Sequence, residues 1–177
     1  MAVSGISSTS NYYTQAAAAG PVSIATALAA IKTNSRTKVT ISDTTDNISR
    51  NLESLRKISN NINGIAQTDP SAIIDVTATQ LSKLGGMLSK FSTNYQLRVS
   101  GVTVANTANA ASNSHISSFS INDSSTNIMA QLAGSLNNQS KLSSINITTP
   151  SSLISVTASQ VVDLASVIGK FTGNYGL

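Results

Sequence analysis

Of the 177 residues, 10% are charged and 40% apolar, the net charge is +4, and there is no Cys or Trp. The missing cysteines exclude a disulfide-stapled scaffold, thiol chemistry and thiolate metal sites. The Lys and Arg residues are scattered (Lys32, Arg36, Lys38, Arg50, Arg56, Lys57) with no run and no interleaved aromatics, so a dedicated nucleic-acid site is not expected.

In chain order, Met1 to Gly20 reads as a tail, with Ala16 to Ala19 able to begin a helix. Pro21 suits a first helical turn, where its missing N–H costs nothing. Ile24, Leu28 and Ile31 recur at helical spacing, which predicts a helix over Val22–Thr33. Lys38 to Ile41 alternates polar and apolar, as a half-buried strand does. Asp43-Thr44-Thr45-Asp46 predicts a helix start, with Asp43 or Thr44 accepting from the free N–H groups. Ile48, Leu52, Leu55 and either Ile58 or Ile62 form its apolar stripe, and Asn60, Asn61 and Gly64 are expected to end it. A short strand follows at Ile65. Asp69-Pro70-Ser71 is a turn in which Asp69 is expected to bond the backbone ahead. Ile73 to Val76 predicts another strand. Thr77 then caps a helix carrying Ala78, Leu81, Leu84, Leu88 and Phe91 on one face. Gly85-Gly86 interrupts that helix at roughly 1 kcal/mol per glycine, which suggests close packing against another backbone. Tyr95, Leu97 and Val99 alternate as a strand.

The stretch Ile41–Leu97 then recurs. Shifted by 80 positions it aligns without a gap on Ile121–Leu177, with 20 of 57 pairs identical. Asp43, Asn47, Ile48 and Leu52 match Asp123, Asn127, Ile128 and Leu132, and Lys90-Phe91-x-x-Asn94-Tyr95-x-Leu97 matches Lys170-Phe171-x-x-Asn174-Tyr175-x-Leu177. The second copy is expected to hold a strand at Ile121, a helix over Ser124–Leu136, a strand near Ile145–Ile147 and a turn at Pro150. A strand over Ile154–Val156, a helix over Ala158–Phe171 and a strand at Tyr175 follow. Asn106 to Asn113 is poor in large apolar residues and reads as a linker or weak helix. The expected fold is α/β. It comprises two tandem copies of a strand–helix–strand–strand–helix–strand unit of about 80 residues, one helix layer on one sheet layer. Either a split βαβ sheet or an α/β solenoid accommodates that order, with a helical bundle as the rival. Residues 1–20 form the tail, 21–100 the first repeat and 101–177 the second.

Ser, Thr and Asn number 31, 19 and 17, so hydroxyls and amides solvate the surface in place of the roughly 25% of charged residues usual in a domain. Such a surface has little mutual repulsion, tolerates close packing of copies and suits an extracellular or cell-surface location. No run of about 20 apolar residues exists, so no membrane insertion is expected. Met1 to Gly20 lacks the basic and apolar regions of a Sec signal, so export would use a route without a cleaved signal unless the chain is a mature form.

Candidate chemistry is thin. His115 has no indicated partner and reads as solvated or locally capped. Asp43 and Asp123 sit at helix starts and read as caps rather than metal ligands. Asp43-x-x-Asp46 supplies two oxygens, but Thr126 stands at the second position of the other copy, so a repeated calcium site is not supported. Gly85-Gly86 lacks the Lys-Ser/Thr of a phosphate loop. Tyr95 and Tyr175 read as packing anchors, and Tyr12-Tyr13 as a docking anchor. No catalytic residue, cofactor or metal is expected.

Asp43-Thr44-x-x-Asn47-Ile48-x-x-x-Leu52 and Val76-Thr77-Ala78-x-Gln80-Leu81, with a looser set from Asp123 and Val156, resemble the repeats of large repetitive bacterial surface and secreted proteins such as RTX-like adhesins. The resemblance covers about two thirds of the chain and implies an extracellular, structural or adhesive role. The glycine–aspartate calcium nonapeptides of many such proteins are missing.

These readings lead to a non-enzymatic extracellular structural protein whose partner is itself, polymerised into a filament, matrix or surface layer. The alternative is a monomeric adhesin or carbohydrate-binding module, with cell-surface polysaccharide as its partner. The first repeat's last strand runs on as Arg98-Val99-Ser100-Gly101-Val102, whereas the second reaches only Leu177, and Ala2-Val3-Ser4-Gly5-Ile6 resembles the missing continuation. The tail of one copy is therefore expected to add a strand to the next, with Val3, Gly5, Ile6, Tyr12, Tyr13, Tyr175 and Leu177 as inter-subunit residues.

Overall fold

The computed structural model describes residues 20–92, 94–132, 134, 136, 139–148 and 155–172. The chain is α/β, and among the described residues every strand pair is parallel. In order, the elements are α1 (Ile24–Thr33), β1 (Val39–Asp43), α2 (Thr45–Lys57), β2 (Ile62–Gln67), β3 (Ile74–Thr77), α3 (Ala78–Lys83), α4 (Gly85–Leu88) and β4 (Leu97–Val102). Then come α5 (Thr107–Ser112), β5 (Ile116–Asp123), α6 (Ser125–Gln131), β6 (Leu142–Ile147), α7 (Ala158–Asp163), α8 (Ala165–Ile168) and β7 (Phe171–Thr172).

Two sheets form. The first pairs β1 with β2, and single bridges add Val22 beside Ile41 and Phe91 beside Ile65. The second runs β3-β4-β5-β6-β7, each strand beside its sequence neighbour. A split βαβ sheet would separate consecutive strands, so that expectation is corrected. The parallel order follows from the connections, because helices or long loops return the chain to the same end each time.

The apolar residues of each strand face one shared core. Ile41, Ile65, Ile74, Leu97, Phe119 and Ile145 are all buried and belong to one hydrophobic cluster. The helices bury single stripes against it: Ile24, Ala27 and Ile31 from α1, and Ile48, Leu52 and Leu55 from α2. Ile62 belongs to β2 rather than to the α2 stripe, and Gly64 lies inside that strand instead of ending the helix.

Several local expectations change. Pro21 stands outside α1, whose cap is Ser23. The helix predicted from Thr77 to Phe91 is broken at Leu84, and Phe91 joins β2 as a bridge. A Cβ placed on Gly85 or Gly86, both inside α4, would meet nothing within 4 Å, so these glycines admit no close backbone, contrary to the expectation. The Asp69 carboxylate accepts from the backbone N–H and hydroxyl of Thr45, both preceding it, rather than from the turn ahead. α6 stops at Gln131, short of the predicted Leu136. Of the two expectations for Asn106 to Asn113, the weak helix is the one found: after a short 3₁₀ turn at Val104–Asn106 comes α5, which buries Thr107 and Ala110. Residues 155–157 form no strand. Ile154, the turn at Pro150 and the strand at Tyr175 lie outside the described residues.

Candidate assembly interface

β4 is the strand on which the two halves of the chain meet. Its first part pairs with β3 through Ile74↔Leu97 and Val76↔Val99. Its other edge pairs with β5 through Leu97↔Ile116, Val99↔Phe119 and Val102↔Ile121. Between Val99 and Val102 the register shifts: two residues of β4, Ser100 and Gly101, stand opposite Ser120 alone. Gly101 has φ +73°, a left-handed conformation that costs a glycine little and other residues more.

The pairing on either side of this bulge repeats. Val39↔Ile62, Thr40↔Gly64, Ile41↔Ile65, Ser42↔Ala66 and Asp43↔Gln67 join β1 to β2, with a shift after Val39. Phe119↔Leu142, Ser120↔Ser144, Ile121↔Ile145, Asn122↔Asn146 and Asp123↔Ile147 join β5 to β6, with a shift after Phe119. Each residue is displaced by 80 positions. The same displacement relates Val22↔Ile41 to Val102↔Ile121, and Ile65↔Phe91 to Ile145↔Phe171.

Two carboxylates fasten the corners in the same way. Asp43 accepts from Thr44 N at 2.8 Å, Asn47 Nδ2 at 2.7 Å and Ile24 N, the first residue of α1, at 2.9 Å. Asp123 accepts from Ser124 N, Asn127 Nδ2 and Val104 N, each at 2.8 Å. Partial burial opposes the charge on Asp43. The Asn47 amide and the N–H groups of Ile24 and Thr44 outweigh it and hold the carboxyl below its ordinary range. Asp123 is lowered likewise, against burial, by Asn127, Val104 and Ser124. The N-caps themselves are Thr44 and Ser124. Each Asp sits one residue earlier and ties the next helix start to the preceding one.

At the junction, three rings meet along the end of the first half, the first pair tilted and the second stacked. Phe91 and Tyr95 lie 4.8 Å apart at 42°, and Tyr95 and His115 lie 4.2 Å apart at 4°. Tyr95 is buried, and that desolvation raises its phenol pKa. Its role as a packing anchor is what the geometry displays. The expectation for His115 is corrected: its ring is half-buried on Tyr95 and its Nδ1 lies 3.2 Å from Tyr95 O. The signal in the sequence was spacing across the fold, 20 residues from Tyr95 to His115, which no local pattern reports.

The outward face of the second sheet is polar. Arg98 donates to both Asp75 oxygens at 2.6 and 2.8 Å, and Asn146 donates to Asn122 Oδ1 at 2.5 Å. A shallow groove there is lined by residues that include Asp75, Arg98, Ser100, Ser120 and Ser144.

Val3, Gly5, Ile6, Tyr12, Tyr13, Tyr175 and Leu177 lie outside the described residues. Among the described residues no group of three or more His, Asp or Glu could hold a metal ion, and no helix is long and apolar enough to cross a membrane. Comparison with protein-family models, curated proteins and solved structures finds no match.

Proposed function

We propose that the chain is a non-enzymatic, extracellular structural protein, built as an α/β solenoid of two tandem 80-residue units and assembling head-to-tail into a filament, matrix or surface layer. One observation carries this reading. The pairing repeats at a displacement of 80 residues, and in the second sheet β4, with β3 beyond it, lies along β5, whereas among the described residues β1 has only the bridge at Val22 on that side. The edge at Val22 is therefore of the kind that β3 and β4 cover in the second sheet. A second copy would supply such a pair of strands, and main-chain hydrogen bonds would give the affinity. Because the two joined surfaces differ, the contact is heterologous and propagates. In this reading the N-terminal tail, through Val3, Gly5 and Ile6 with Tyr12 and Tyr13 as anchors, completes the joint as an added strand.

The sparse charge and the hydroxyl- and amide-rich surface support a crowded, repetitive assembly outside the cell. They also make ionic steering weak, so assemblies are expected to persist in 0.5 M NaCl, where charges are screened beyond a few ångströms. Light scattering and negative-stain microscopy of the purified protein test the proposal. Concentration-dependent fibres or sheets support it, and a monomer at every concentration rejects it. Deleting residues 2–13 tests the tail: unchanged fibres would remove the tail from the joint.

The polar outward face of the second sheet favours one alternative, a monomeric adhesin or carbohydrate-binding module that grips polysaccharide through Asp75, Arg98 and the Ser and Asn rows. A monomer that is retained by polysaccharide, and released when Arg98 and Asn146 are replaced by Ala, would select it.

A further inference from the structure

Where α2 begins beside the end of β2, two polar side chains close on one buried hydroxyl. Thr45 and Gln67 are only 3% and 6% exposed. The Thr45 hydroxyl donates to Asp69 Oδ1 at 2.7 Å and accepts from Gln67 Nε2 at 2.7 Å. The same Asp69 oxygen accepts from Thr45 N at 2.8 Å, and Gln67 Nε2 also donates to Ala72 O at 3.2 Å. Gln67 Oε1 is buried, and among the described residues it has no hydrogen-bond partner. The three groups have complementary chemistry. A hydroxyl that donates to a carboxylate is a nucleophile beside its base. A carboxamide is an acyl group with ammonia to lose. Its carbonyl carbon is bonded to the nitrogen that the hydroxyl oxygen already touches, so a turn of the carboxamide about its last bond brings that carbon to the oxygen.

We infer that Thr45 and Gln67 join covalently in the folded chain, as an ester between Thr45 Oγ1 and Gln67 Cδ. The Thr45 oxygen bonds to Cδ as the bond from Cδ to Nε2 breaks. Asp69 takes the hydroxyl proton and passes it to the departing nitrogen, which leaves as ammonia, and the carboxylate ends ionised as it began. No oxidant, reductant or co-reactant is consumed. The step happens once per chain, so it tolerates a slow rate, and holding the reacting groups together supplies much of the acceleration. Two features favour the product. Ammonia escapes into bulk solvent, and an ester brings no donor hydrogen that the buried site must satisfy, while Asp69 keeps the Thr45 N–H. The link closes a loop across 22 residues in a chain without Cys, where no disulfide can do so. In the second half Ser125 stands at the position of Thr45, but Ile147 stands at that of Gln67, so the ester forms in the first half alone.

The inference is independent of assembly, and mass spectrometry of the full chain tests it. The purified protein is kept folded until its mass is constant and is then measured intact under denaturing conditions. Wild type should be lighter than its sequence by one ammonia. Trypsin should then release residues 39–50 joined to residues 58–83, and hydroxylamine, which cleaves esters, should separate the two. Thr45→Ser keeps a hydroxyl and should form the link. Thr45→Val and Gln67→Leu should keep their full mass, with circular dichroism showing that they are folded. Asp69→Asn keeps an acceptor but loses the base, and should lose ammonia about 100-fold more slowly. A folded wild type that retains its full mass overturns the proposal. So does a loss of ammonia that persists in Thr45→Val, because a succinimide at Asn63-Gly64 would also release ammonia without joining the two peptides.

Discussion

The first sheet (Val22, β1, β2, Phe91) and the second (β3 to β7) are two versions of one arrangement. Their shared part has the same partners, displaced by 80 residues, and the same bulge. They differ in what covers the leading edge. In the second sheet β4 lies against β5, so Phe119 is fully buried at 0% exposure, whereas its counterpart Val39 is half-buried and among the described residues has a strand neighbour only in β2. Equal local bonding therefore does not give equal burial, and the strand environment follows from which neighbour is present. Substituting the two residues measures that difference most directly. Phe119→Ala should cost about 3–5 kcal/mol, as large core truncations do. Val39→Ala should cost about 1 kcal/mol, given its partial burial. Urea midpoints of the two variants check this, and similar losses would mean that Val39 is covered in solution.

The paired carboxylates sharpen the comparison from the opposite side, because here the two halves are alike. Removing Asp43 leaves Ile24 N–H and Thr44 N–H without their acceptor, and removing Asp123 does the same to Val104 and Ser124. Each Asp→Ala variant should lose about 1–3 kcal/mol, the cost of stranding buried donors. The two losses should agree, and a large difference between the melting shifts would show that one corner is held by other contacts. Folding keeps both carboxyls below their ordinary range, so the folded state binds fewer protons near that range. The stability they contribute is complete above about pH 4 and fades as the pH falls through the lowered values. Melting temperature followed from pH 6 to pH 2 should drop steeply at the acid end. The double Asp43→Ala, Asp123→Ala variant should show a shallower drop from a lower start.

Much of this was legible in the sequence, and the parts that were not share a cause. The shift of 80, the strands at Ile41, Ile65, Leu97 and Ile145, and the caps at Thr44 and Thr77 can be read from period and hydroxyl placement. Asp43 and Asp123 read as helix-start residues, but their third donor lies 19 residues earlier on another helix and has no local signature. The same holds for His115 on Tyr95. α5 reads only as a linker or weak helix because its buried positions are Thr107 and Ala110, small residues that carry little periodic signal. Phe91 fits the helical period from Ala78 and Leu84, yet a parallel bridge to Ile65 takes it out of the helix, so tertiary pairing outweighed propensity.

Gly101 tests the bulge that lets β4 serve both halves. Its counterpart 80 positions earlier is Pro21, whose ring holds φ near −65°, so the two halves enter the corresponding segment by opposite backbone conformations. A Cβ at Gly101 meets no atom within 4 Å, so Gly101→Ala isolates the backbone term. The expected loss is about 1–2 kcal/mol, the cost of the left-handed conformation for a residue with a Cβ. An unchanged urea midpoint would mean that the register shift between Val99 and Val102 needs no left-handed residue.

The smallest expected effect has the opposite sign. α4 spans Gly85–Leu88 and α8 spans Ala165–Ile168, the same four residues displaced by 80. Where the first carries Gly85-Gly86, the second carries Ala165-Ser166. Gly85 is exposed, its φ is not in the left-handed range, and a Cβ there would touch nothing within 4 Å. A methyl group at that position therefore adds no strain to the folded chain and removes freedom from the unfolded one. Gly85→Ala should stabilise the protein by about 0.4–1 kcal/mol. The gain should come without a change in the tilted contact of Phe91 and Tyr95, which lie beyond the helix end. Urea unfolding followed by tyrosine fluorescence reads both, through the midpoint and through the native baseline. A loss of stability would show that the glycine at this break serves a backbone approach after all, as the sequence alone had suggested.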